Sequence, residues 1–153
     1  MIPHKHTEYS RINRYIYIGT NFCCQTHFDK TLLNKGIATD ISLEEVRMDT
    51  PFGVKCYLWL PVKDHHAPTM YQFSMGVACI DRVVKNKEKV YVHCKNGHGR
   101  APTLVAAYLI TQGMSVKKAI NFLKSKRAGV DIQIVQMNAL KKFKKLYKKP
   151  RRA

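Results

Sequence analysis

Apolar residues occur along the chain in short runs and at helical spacings, and the two patterns predict alternating strands and helices. Runs that are too short for a helix and rich in Val, Ile and Tyr, at 15–19 and 89–93, predict strands. The segments IATDIS and KCYLWLP, which end at Ser42 and Pro61, predict two further strands. A short helix closed by a glycine is predicted ahead of them, at 29–36.

Apolar residues spaced three and four apart predict helices in much of the remaining chain. The longest lies between Thr69 and Lys87, where the apolar positions fall on one helical stripe. After residue 93, one helix ends near Gly113, a second is capped by Ser115, and a last helix follows. The residues on these stripes are Phe73, Val77, Ile80, Val84, Leu104, Val105, Tyr108, Leu109, Val116, Ala119, Ile120, Leu123, Val135, Ala139, Phe143 and Leu146.

The order of these elements predicts an α/β fold. Strands come early, and a further strand, a loop and several helices follow, which is the arrangement of helices packed on a sheet. The chain of 153 residues is about the size of one domain, and it shows no repeat or linker before its end. We therefore predict a single domain at 1–147, with a central, mostly parallel, twisted sheet flanked by helices, and a basic tail at 148–153.

The composition is that of a globular protein. Hydrophobic residues make up 45% and charged residues 24% of the chain, which excludes a disordered or coiled-coil protein. No window approaches about eighteen uninterrupted apolar residues, and the first residues lack the apolar stretch of a signal peptide, so a cytoplasmic location is expected. The cysteines lack the spacing of a disulfide framework and are expected to be reduced. They are Cys23, Cys24, Cys56, Cys79 and Cys94.

The net charge is strongly positive and favours anionic partners. There are 27 Lys and Arg against 10 Asp and Glu, a formal charge of +17. Phosphorylated protein, nucleic acid, anionic lipid and polyphosphate all fit such a charge. The end of the chain, ALKKFKKLYKKPRRA, has eight Lys or Arg after Leu140. It could contact a polyanion, but a solvated helix face with a frayed end is the favoured interpretation.

The segment VYVHCKNGHGRAPT contains the candidate chemistry. A predicted strand leads to Cys94, five residues follow, and Arg100 stands where a helix begins. Backbone N–H groups in such a loop can curl inward around a phosphate dianion, and the helix N-terminus adds partial positive charge. Gly97 and Gly99 permit the turns that this requires. The planar fork of Arg100 can then hold two phosphate oxygens.

The same groups stabilise a thiolate, so Cys94 is a candidate nucleophile. His93 is expected to orient the loop through a hydrogen bond. Attack on a phosphate ester also needs an acid that protonates the departing oxygen, and Asp64 lies in a predicted loop where a parallel sheet could bring it to the same edge. Asp81 lies in a predicted helix and Asp49 before a strand, so Asp64 is favoured over both.

A strand followed by HCxxGxxR and a helix, with an Asp upstream in a loop, resembles the cysteine-dependent dual-specificity phosphatases of the protein tyrosine phosphatase superfamily. RYIYIGT resembles that family's opening strand, LLNKGIATDIS its next helix and strand, and KRAGVDIQIVQMNALKKF its closing helix with Gln136. The resemblance covers most of the chain. It implies Cys94 as nucleophile, Arg100 as phosphate clamp and Asp64 as general acid. The residues expected to bind phosphate are Lys95, Asn96, Gly97, His98, Gly99 and Arg100, with His93 and Gln136 in support.

One position departs from the family pattern. Most members have Ser or Thr directly after the arginine, where a hydroxyl helps the sulfur to leave the phosphoenzyme. This chain has Ala101 there, as in the phosphatases of regenerating liver, whose loop also contains GRAP. Thr103 lies two residues further on and, on a helix, faces away from that position. We therefore predict slow hydrolysis of the phosphoenzyme and low turnover.

Some polar residues leave two interpretations open. Lys95 and His98 resemble the CKxGxxR variant of several lipid phosphatases, in which extra basic groups meet additional phosphates. Alternatively, both side chains point outward and only add positive potential. Glu44 and Glu45 either orient a loop arginine or are exposed charges, and exposure is slightly favoured.

No metal site or cofactor is predicted. His65 and His66, with Cys23 and Cys24 as distant candidates, do not have the spacing of a ligand set. Solvated loop histidines and packed thiols are the favoured interpretation. The expected chemistry also needs no metal ion.

The predicted function is a metal-independent phosphate monoester hydrolase that forms a phosphocysteine and acts on phosphoprotein, at tyrosine and at serine or threonine. One alternative changes the substrate to a phosphoinositide or an RNA 5'-phosphate. Another is a low-turnover scaffold that binds phosphorylated partners. Rhodanese-like sulfur transfer is a weaker alternative, because its cysteine loop does not need Asp64.

Overall fold

The computed structural model describes residues 7–21 and 28–147, which form five strands and five helices. Cys23, Cys24 and the basic tail at 148–153 lie outside the described residues. The strands are β1 (Tyr9–Arg11), β2 (Ile16–Gly19), β3 (Ile37–Glu44), β4 (Cys56–Val62) and β5 (Lys89–His93). The helices are α1 (Lys30–Asn34), α2 (Met70–Lys85), α3 (Arg100–Thr111), α4 (Val116–Lys126) and α5 (Ile134–Leu146).

The strands form one sheet in the order β1-β2-β5-β3-β4. Strand β5 pairs in parallel with β2 and β3, β3 pairs in parallel with β4, and only the β1–β2 pair is antiparallel. The prediction of a mostly parallel sheet flanked by helices is confirmed. Because β5 is the central strand, the loop that follows it opens at the middle of the carboxyl edge, where ligands of open α/β sheets bind.

The central strand is buried on both faces, and its residues alternate between two apolar clusters. Val90 and Val92 belong to the larger core, which α2, α3, α4 and α5 cover. Tyr91 points to the opposite face and packs in a smaller cluster with Phe28 and with Leu32 of α1. A short buried run in place of a polar–apolar alternation is typical of a parallel strand with helices on both sides.

The helix ends follow from capping residues that the sequence shows. Asp29 accepts hydrogen bonds at the start of α1, Thr69 forms a capping box with Gln72 at the start of α2, and Ser115 caps α4. The predicted strands and helices are confirmed, with β3 extending two residues beyond its predicted end at Ser42. The three-residue strand β1 was not predicted, because so short a segment has no periodicity.

Within the described residues, no helix is long and apolar enough to cross a membrane. The described cysteines Cys56, Cys79 and Cys94 are free thiols. Burial raises the pKa of Cys79 to about 11, with the nearby thiol of Cys56 adding to the effect. Cys79 therefore stays a protonated core residue at neutral pH.

Candidate active site

The loop between β5 and α3 forms the floor of a polar cavity of about 190 Å³. Cys94 and Arg100 line it from the two ends of the loop, and Asp64 and Gln136 line it from other parts of the chain. Cys94 is 3% exposed. The structure therefore brings together the predicted nucleophile, clamp and general acid.

Every carbonyl group from Lys95 to Gly99 is hydrogen-bonded on the outer side of the loop. The carbonyl of Lys95 accepts from the backbone N–H of Asn21 (3.2 Å), and that of His98 from the backbone N–H of Asp131 (2.8 Å). The carbonyls of Asn96 and Gly97 accept from the side chain of Arg127, at 3.0 and 2.9 Å. The carbonyl of Gly99 accepts from the backbone N–H and the hydroxyl of Thr103.

These contacts determine where the N–H groups of the loop point. In a trans peptide the N–H and the preceding C=O point in opposite directions, so outward carbonyls turn the N–H groups of residues 96–100 inward. None of these N–H groups donates to another described residue. Converging N–H groups without a protein acceptor form an anion site, to which the N-terminus of α3 adds partial positive charge.

Glycine is required at one point of this loop. Gly97 has a φ of +68°, in the left-handed region that a residue with a side chain adopts at a cost. A Cβ atom there would lie 2.5 Å from the carbonyl oxygen of Gly19 and 3.0 Å from a guanidinium nitrogen of Arg127. The tight turn and the close approach of Arg127 therefore both depend on Gly97.

Arg100 is 2% exposed and is held from two sides. One terminal nitrogen, Nη1, donates to the carbonyl of Val62 (2.9 Å) and contacts Oε1 of Glu44 at 3.3 Å. The other, Nη2, lies 3.4 Å from Oδ1 of Asp64. Its Nε is buried and has no hydrogen-bond partner among the described residues. An oxyanion in the cavity fits this free donor together with the N–H groups of the loop.

The slightly favoured prediction that Glu44 is an exposed charge is wrong. Glu44 is the last residue of β3, is 2% exposed, and accepts from Arg100 and from Nδ2 of Asn21 (2.9 Å). Burial alone would raise the pKa of Glu44, but the Asn21 hydrogen bond and the charge of Arg100 outweigh it and hold that pKa below its ordinary value. Its neighbour Glu45 is exposed, as expected.

Asp64 lies in the loop after β4, and its side chain is 58% exposed. One carboxylate oxygen accepts from the backbone N–H of His65 (3.0 Å), whose φ of +61° marks a tight turn. The loop is tied to α5 because Nε2 of Gln136 donates to the carbonyl of His66 (3.0 Å). Gln136, which the resemblance implied as a supporting residue, thus holds the Asp64 loop above the cavity.

His93 is completely buried, and both of its ring nitrogens face oxygen atoms. Nδ1 lies 3.1 Å from Oδ1 of Asn21, and Nε2 lies 3.1 Å from Asp40 and 3.4 Å from Asp49. The hydrogen bond from Asn21 to Glu44 sets the orientation of the Asn21 amide. A continuous chain of contacts therefore runs from His93 through Asn21 to the carboxylate that holds the loop arginine. The orienting role expected of His93 stays a prediction, which these contacts allow.

Asp40, Asp49 and His93 form a buried set whose ligand atoms lie within 4.8 Å of one another, a grouping able to hold a metal ion. The sequence spacing did not indicate it. Their mutual contacts and the ion pair between Asp49 and Arg47 (3.3 Å) are those of a buried charge network. Burial raises the pKa of Asp49, which the charges of His93 and Arg47 oppose. Asp49 is buried beside His93 and does not line the cavity, and Asp81 pairs with a lysine of α2, so neither competes with Asp64.

The side chains of the remaining loop residues differ in whether they reach the cavity. His98 lines the cavity, and its ring packs over Gly129, where a Cβ atom would meet it at 2.5 Å. Lys95 is exposed and does not line the cavity. Ala101 is completely buried, and the hydroxyl of Thr103 donates to the carbonyl of Gly99 (2.7 Å), so it faces away as expected.

Sequence reasoning missed two polar residues that shape the site, Asn21 and Arg127. Asn21 follows directly after β2, and the parallel pairing of β2 with β5 places it beside the start of the loop. Arg127 lies within the segment KRAGV that resembled the family's closing region, but a buried arginine there is indistinguishable by pattern from its exposed basic neighbours. Only long-range contacts reveal either role.

Comparison with known proteins places this geometry in a family. A model of the dual specificity phosphatase catalytic domain matches residues 16–146. Dual specificity protein phosphatase 5 of Homo sapiens is 38% identical over 76 residues, covering 48% of this chain and 20% of that protein. Phosphatidylglycerophosphatase and protein-tyrosine phosphatase 1 of Rattus norvegicus is 32% identical over 127 residues, covering 82% of this chain and 56% of that protein. The chain thus spans only part of the length of these relatives.

Solved structures agree with the family match. The crystal structure of PTPMT1 in complex with PI(5)P has a TM-score of 0.77 at 26% identity, covering 90% of this chain and 94% of that one. The human tyrosine phosphatase-like serine/threonine/tyrosine-interacting protein has a TM-score of 0.80 at 21% identity, covering 91% of this chain and 97% of that one, and shows the shared fold. Since the family model matches the chain from its second strand to its last helix, the chain belongs to the dual specificity phosphatases of the protein tyrosine phosphatase superfamily.

Proposed function

We propose that the chain hydrolyses phosphate monoesters through a phosphocysteine formed on Cys94. One observation supports this most directly: the carbonyls of the loop are all bound on its outer side, so its N–H groups converge beside the sulfur. Such a ring stabilises a thiolate, and it also stabilises the charge that develops on a transferring phosphoryl group. Because amides and Arg100 supply this stabilisation, the reaction needs no metal ion.

In the first step the thiolate of Cys94 attacks phosphorus, forming the S–P bond as the bond to the ester oxygen breaks. Asp64 donates its proton to that departing oxygen. Arg100 holds two oxygens of the phosphoryl group with its terminal nitrogen and its buried Nε. The contact between Arg100 and Asp64 keeps acid and clamp on the same side of the cavity before substrate binds.

In the second step water attacks the phosphocysteine. The carboxylate of Asp64 takes a proton from the water, the S–P bond breaks, and inorganic phosphate leaves with Cys94 again a thiolate. Ala101 offers the departing sulfur no hydroxyl, and the hydroxyl of Thr103 is bonded elsewhere. We therefore propose that this step is slow and limits turnover.

The proposed substrates are phosphoproteins, at tyrosine and at serine or threonine. The relatives support this choice, since one is a dual specificity protein phosphatase and the other is named as a protein-tyrosine phosphatase as well as a phosphatidylglycerophosphatase. A phosphoinositide is the second candidate, supported by the likeness to PTPMT1 bound to PI(5)P. The net charge of +17 favours either anionic substrate, and also an RNA 5'-phosphate or a polyanion bound by the basic tail. The catalytic unit in this proposal is 1–147, with 148–153 as that tail.

The test compares the wild-type protein with Cys94→Ser. Wild type should hydrolyse an aryl phosphate with a burst of one product per enzyme followed by a slow steady rate, because phosphoenzyme breakdown is limiting. Rapid quench should trap a phosphorylated protein. Cys94→Ser should retain phosphate binding and lose both burst and turnover. Turnover that survives in Cys94→Ser would exclude the phosphocysteine mechanism.

The same assay separates the alternatives. Phosphotyrosyl and phosphothreonyl peptides, PI(5)P and 5'-triphosphorylated RNA should be compared at two salt concentrations, because bulk electrostatic attraction weakens with salt whereas pocket selectivity remains. A preference that holds at both concentrations identifies the substrate class. Phosphate binding without turnover on any substrate would favour the scaffold alternative, and thiosulfate reactivity without phosphatase activity would favour sulfur transfer.

A further inference from the structure

A second arginine is buried behind the loop, outside the cavity. Arg127 follows α4 and is 8% exposed. Its Nε donates to the carbonyl of Gly97 (2.9 Å), one terminal nitrogen donates to the carbonyl of Asn96 (3.0 Å), and the other donates to the hydroxyl of Ser10 on β1 (3.1 Å). All three nitrogens of one guanidinium group therefore bind, two of them to consecutive peptide groups of the loop.

The two carbonyls that Arg127 holds belong to the peptides whose N–H groups are those of Gly97 and His98. Since each N–H points opposite to its carbonyl, the guanidinium fixes both N–H groups toward the cavity. A rotation of either peptide would turn a carbonyl oxygen toward a bound phosphate, where like charges repel. A positive charge on the carbonyl end also polarises the peptide and strengthens its N–H as a donor.

The backbone of Arg127 is anchored independently of its side chain. Its N–H donates to the carbonyl of Leu123 (2.9 Å), and its own carbonyl accepts from the N–H of Val130 (3.2 Å). Loss of the side chain would therefore leave this turn in place and release the loop. The bond to Ser10 joins the turn to β1 and does not involve the loop. Removing the Ser10 hydroxyl therefore tests the contribution of Arg127 to stability separately from its contacts with the loop.

We propose that Arg127 is a positioning residue for phosphate binding: from outside the cavity, it holds the peptides 96–97 and 97–98 with their N–H groups turned toward the anion. This inference rests on the proposed use of the loop as a phosphate site. Arg127 itself does not touch the phosphate. Its planar fork matches two neighbouring carbonyls, which a lysine, with a single nitrogen, cannot reproduce.

The experiment uses the full chain and four proteins: wild type, Arg127→Met, Arg127→Lys and Ser10→Ala. Calorimetry measures the binding of inorganic phosphate, and steady-state kinetics with an aryl phosphate give kcat and KM. Denaturant unfolding measures stability. Arg127→Met should weaken phosphate binding by about tenfold, the scale of a lost charge-assisted hydrogen bond, and raise KM. Arg127→Lys should recover only part of this loss. Ser10→Ala should leave phosphate binding unchanged and lower only the unfolding midpoint.

Each outcome decides the question. Phosphate binding that is unchanged in both Arg127 variants, with a lower unfolding midpoint, would overturn the inference and leave Arg127 a structural residue. Equal losses of phosphate binding in Ser10→Ala and Arg127→Lys would do the same. If Arg127→Met does not fold, the pair Arg127→Lys and Ser10→Ala gives the same comparison. If wild type itself binds no phosphate, the proposed function fails together with this inference. If wild type binds phosphate and both Arg127 variants bind it equally well, only this inference fails and the proposed function stands.

Discussion

Two buried arginines contact the loop between β5 and α3 from opposite sides, and they bind different kinds of acceptor. Arg100 faces the cavity and contacts the carboxylates of Glu44 and Asp64, at 3.3 and 3.4 Å. Arg127 faces the outer side of the loop and binds two carbonyls and a hydroxyl, with no carboxylate contact among the described residues. The arginine on the cavity side thus contacts charged carboxylates, whereas the arginine on the outer side contacts the carbonyl ends of peptide dipoles.

The difference shows how the site keeps its positive potential. The charge of Arg100 is partly balanced by two carboxylates, so a phosphate must displace or share those contacts. The charge of Arg127 has no such partner within 7–21 and 28–147, and in our proposal it acts on the anion through the aligned peptides between them. In the proposed mechanism Arg100 therefore recognises the phosphate directly, whereas Arg127 orients the N–H donors and adds positive potential.

Among the substitutions that test this comparison of the two arginines, the largest effect is expected from Arg100→Lys. A lysine keeps the charge but cannot hold two phosphate oxygens, and it loses the bond to the carbonyl of Val62. We expect kcat/KM with an aryl phosphate to fall by about 10³-fold, the scale of a lost oxyanion donor in an enclosed site. Arg127→Lys should have a clearly smaller effect. Equal losses in the two lysine variants would show that the distinction between the inner and outer arginine is wrong.

A second substitution, Asp64→Asn, tests whether a residue on the cavity side of the loop acts in the chemical step rather than in phosphate binding. It removes the proton donor, so kcat on a phosphopeptide should fall by about 10²-fold. An aryl phosphate with a good leaving group needs less protonation and should be affected less. Phosphate binding should stay equal or become tighter, because the variant removes a carboxylate that lies 3.4 Å from Arg100.

The control for this variant is Glu45→Gln, an exposed carboxylate outside the cavity that should change neither kcat nor phosphate binding. Steady-state kinetics with both substrates and calorimetry with inorganic phosphate make the comparison. A uniform loss on both substrates, or weaker phosphate binding, would remove Asp64 from the role of general acid.

The inner side of the loop could be predicted from sequence, because its essential residues are contiguous. Cys94, the glycines and Arg100 lie within seven residues of one another, and the backbone that joins them determines their geometry. The strands and helices around them were also predictable, because apolar periodicity and capping residues mark them. Asp64 followed from its place after a strand of a parallel sheet.

The outer side could not be predicted, because every contact there joins distant segments. Asn21 reaches the loop across more than seventy residues, and Arg127 reaches it from the end of another helix. Glu44 shows the same limit: a glutamate at the end of a strand has no pattern that distinguishes a buried partner of an arginine from a surface charge. Its role depends on the register of β3 beside β5, which sequence periodicity does not determine.

The smallest loss of activity among the substitutions on the inner side, and the one that links the two sides, is expected from Glu44→Gln. Glu44 holds Arg100 and is itself held by Asn21, which also contacts His93. Because the carbonyl of Val62 still anchors Arg100, we expect kcat/KM to fall by only about tenfold.

The pH dependence of stability gives this last variant a sharper test. The pKa of Glu44 is lowered in the folded state despite its burial, because Asn21 and Arg100 stabilise the carboxylate. Its contribution to stability is therefore complete above the ordinary glutamate pKa of about 4.3 and is lost as the pH falls through the lowered value. The difference in unfolding free energy between wild type and Glu44→Gln should be largest at neutral pH and should shrink in acid. Glu45→Gln, the exposed neighbour, should show no such trend, and a difference for Glu44→Gln that is constant with pH would mean that Arg100 does not depend on this carboxylate.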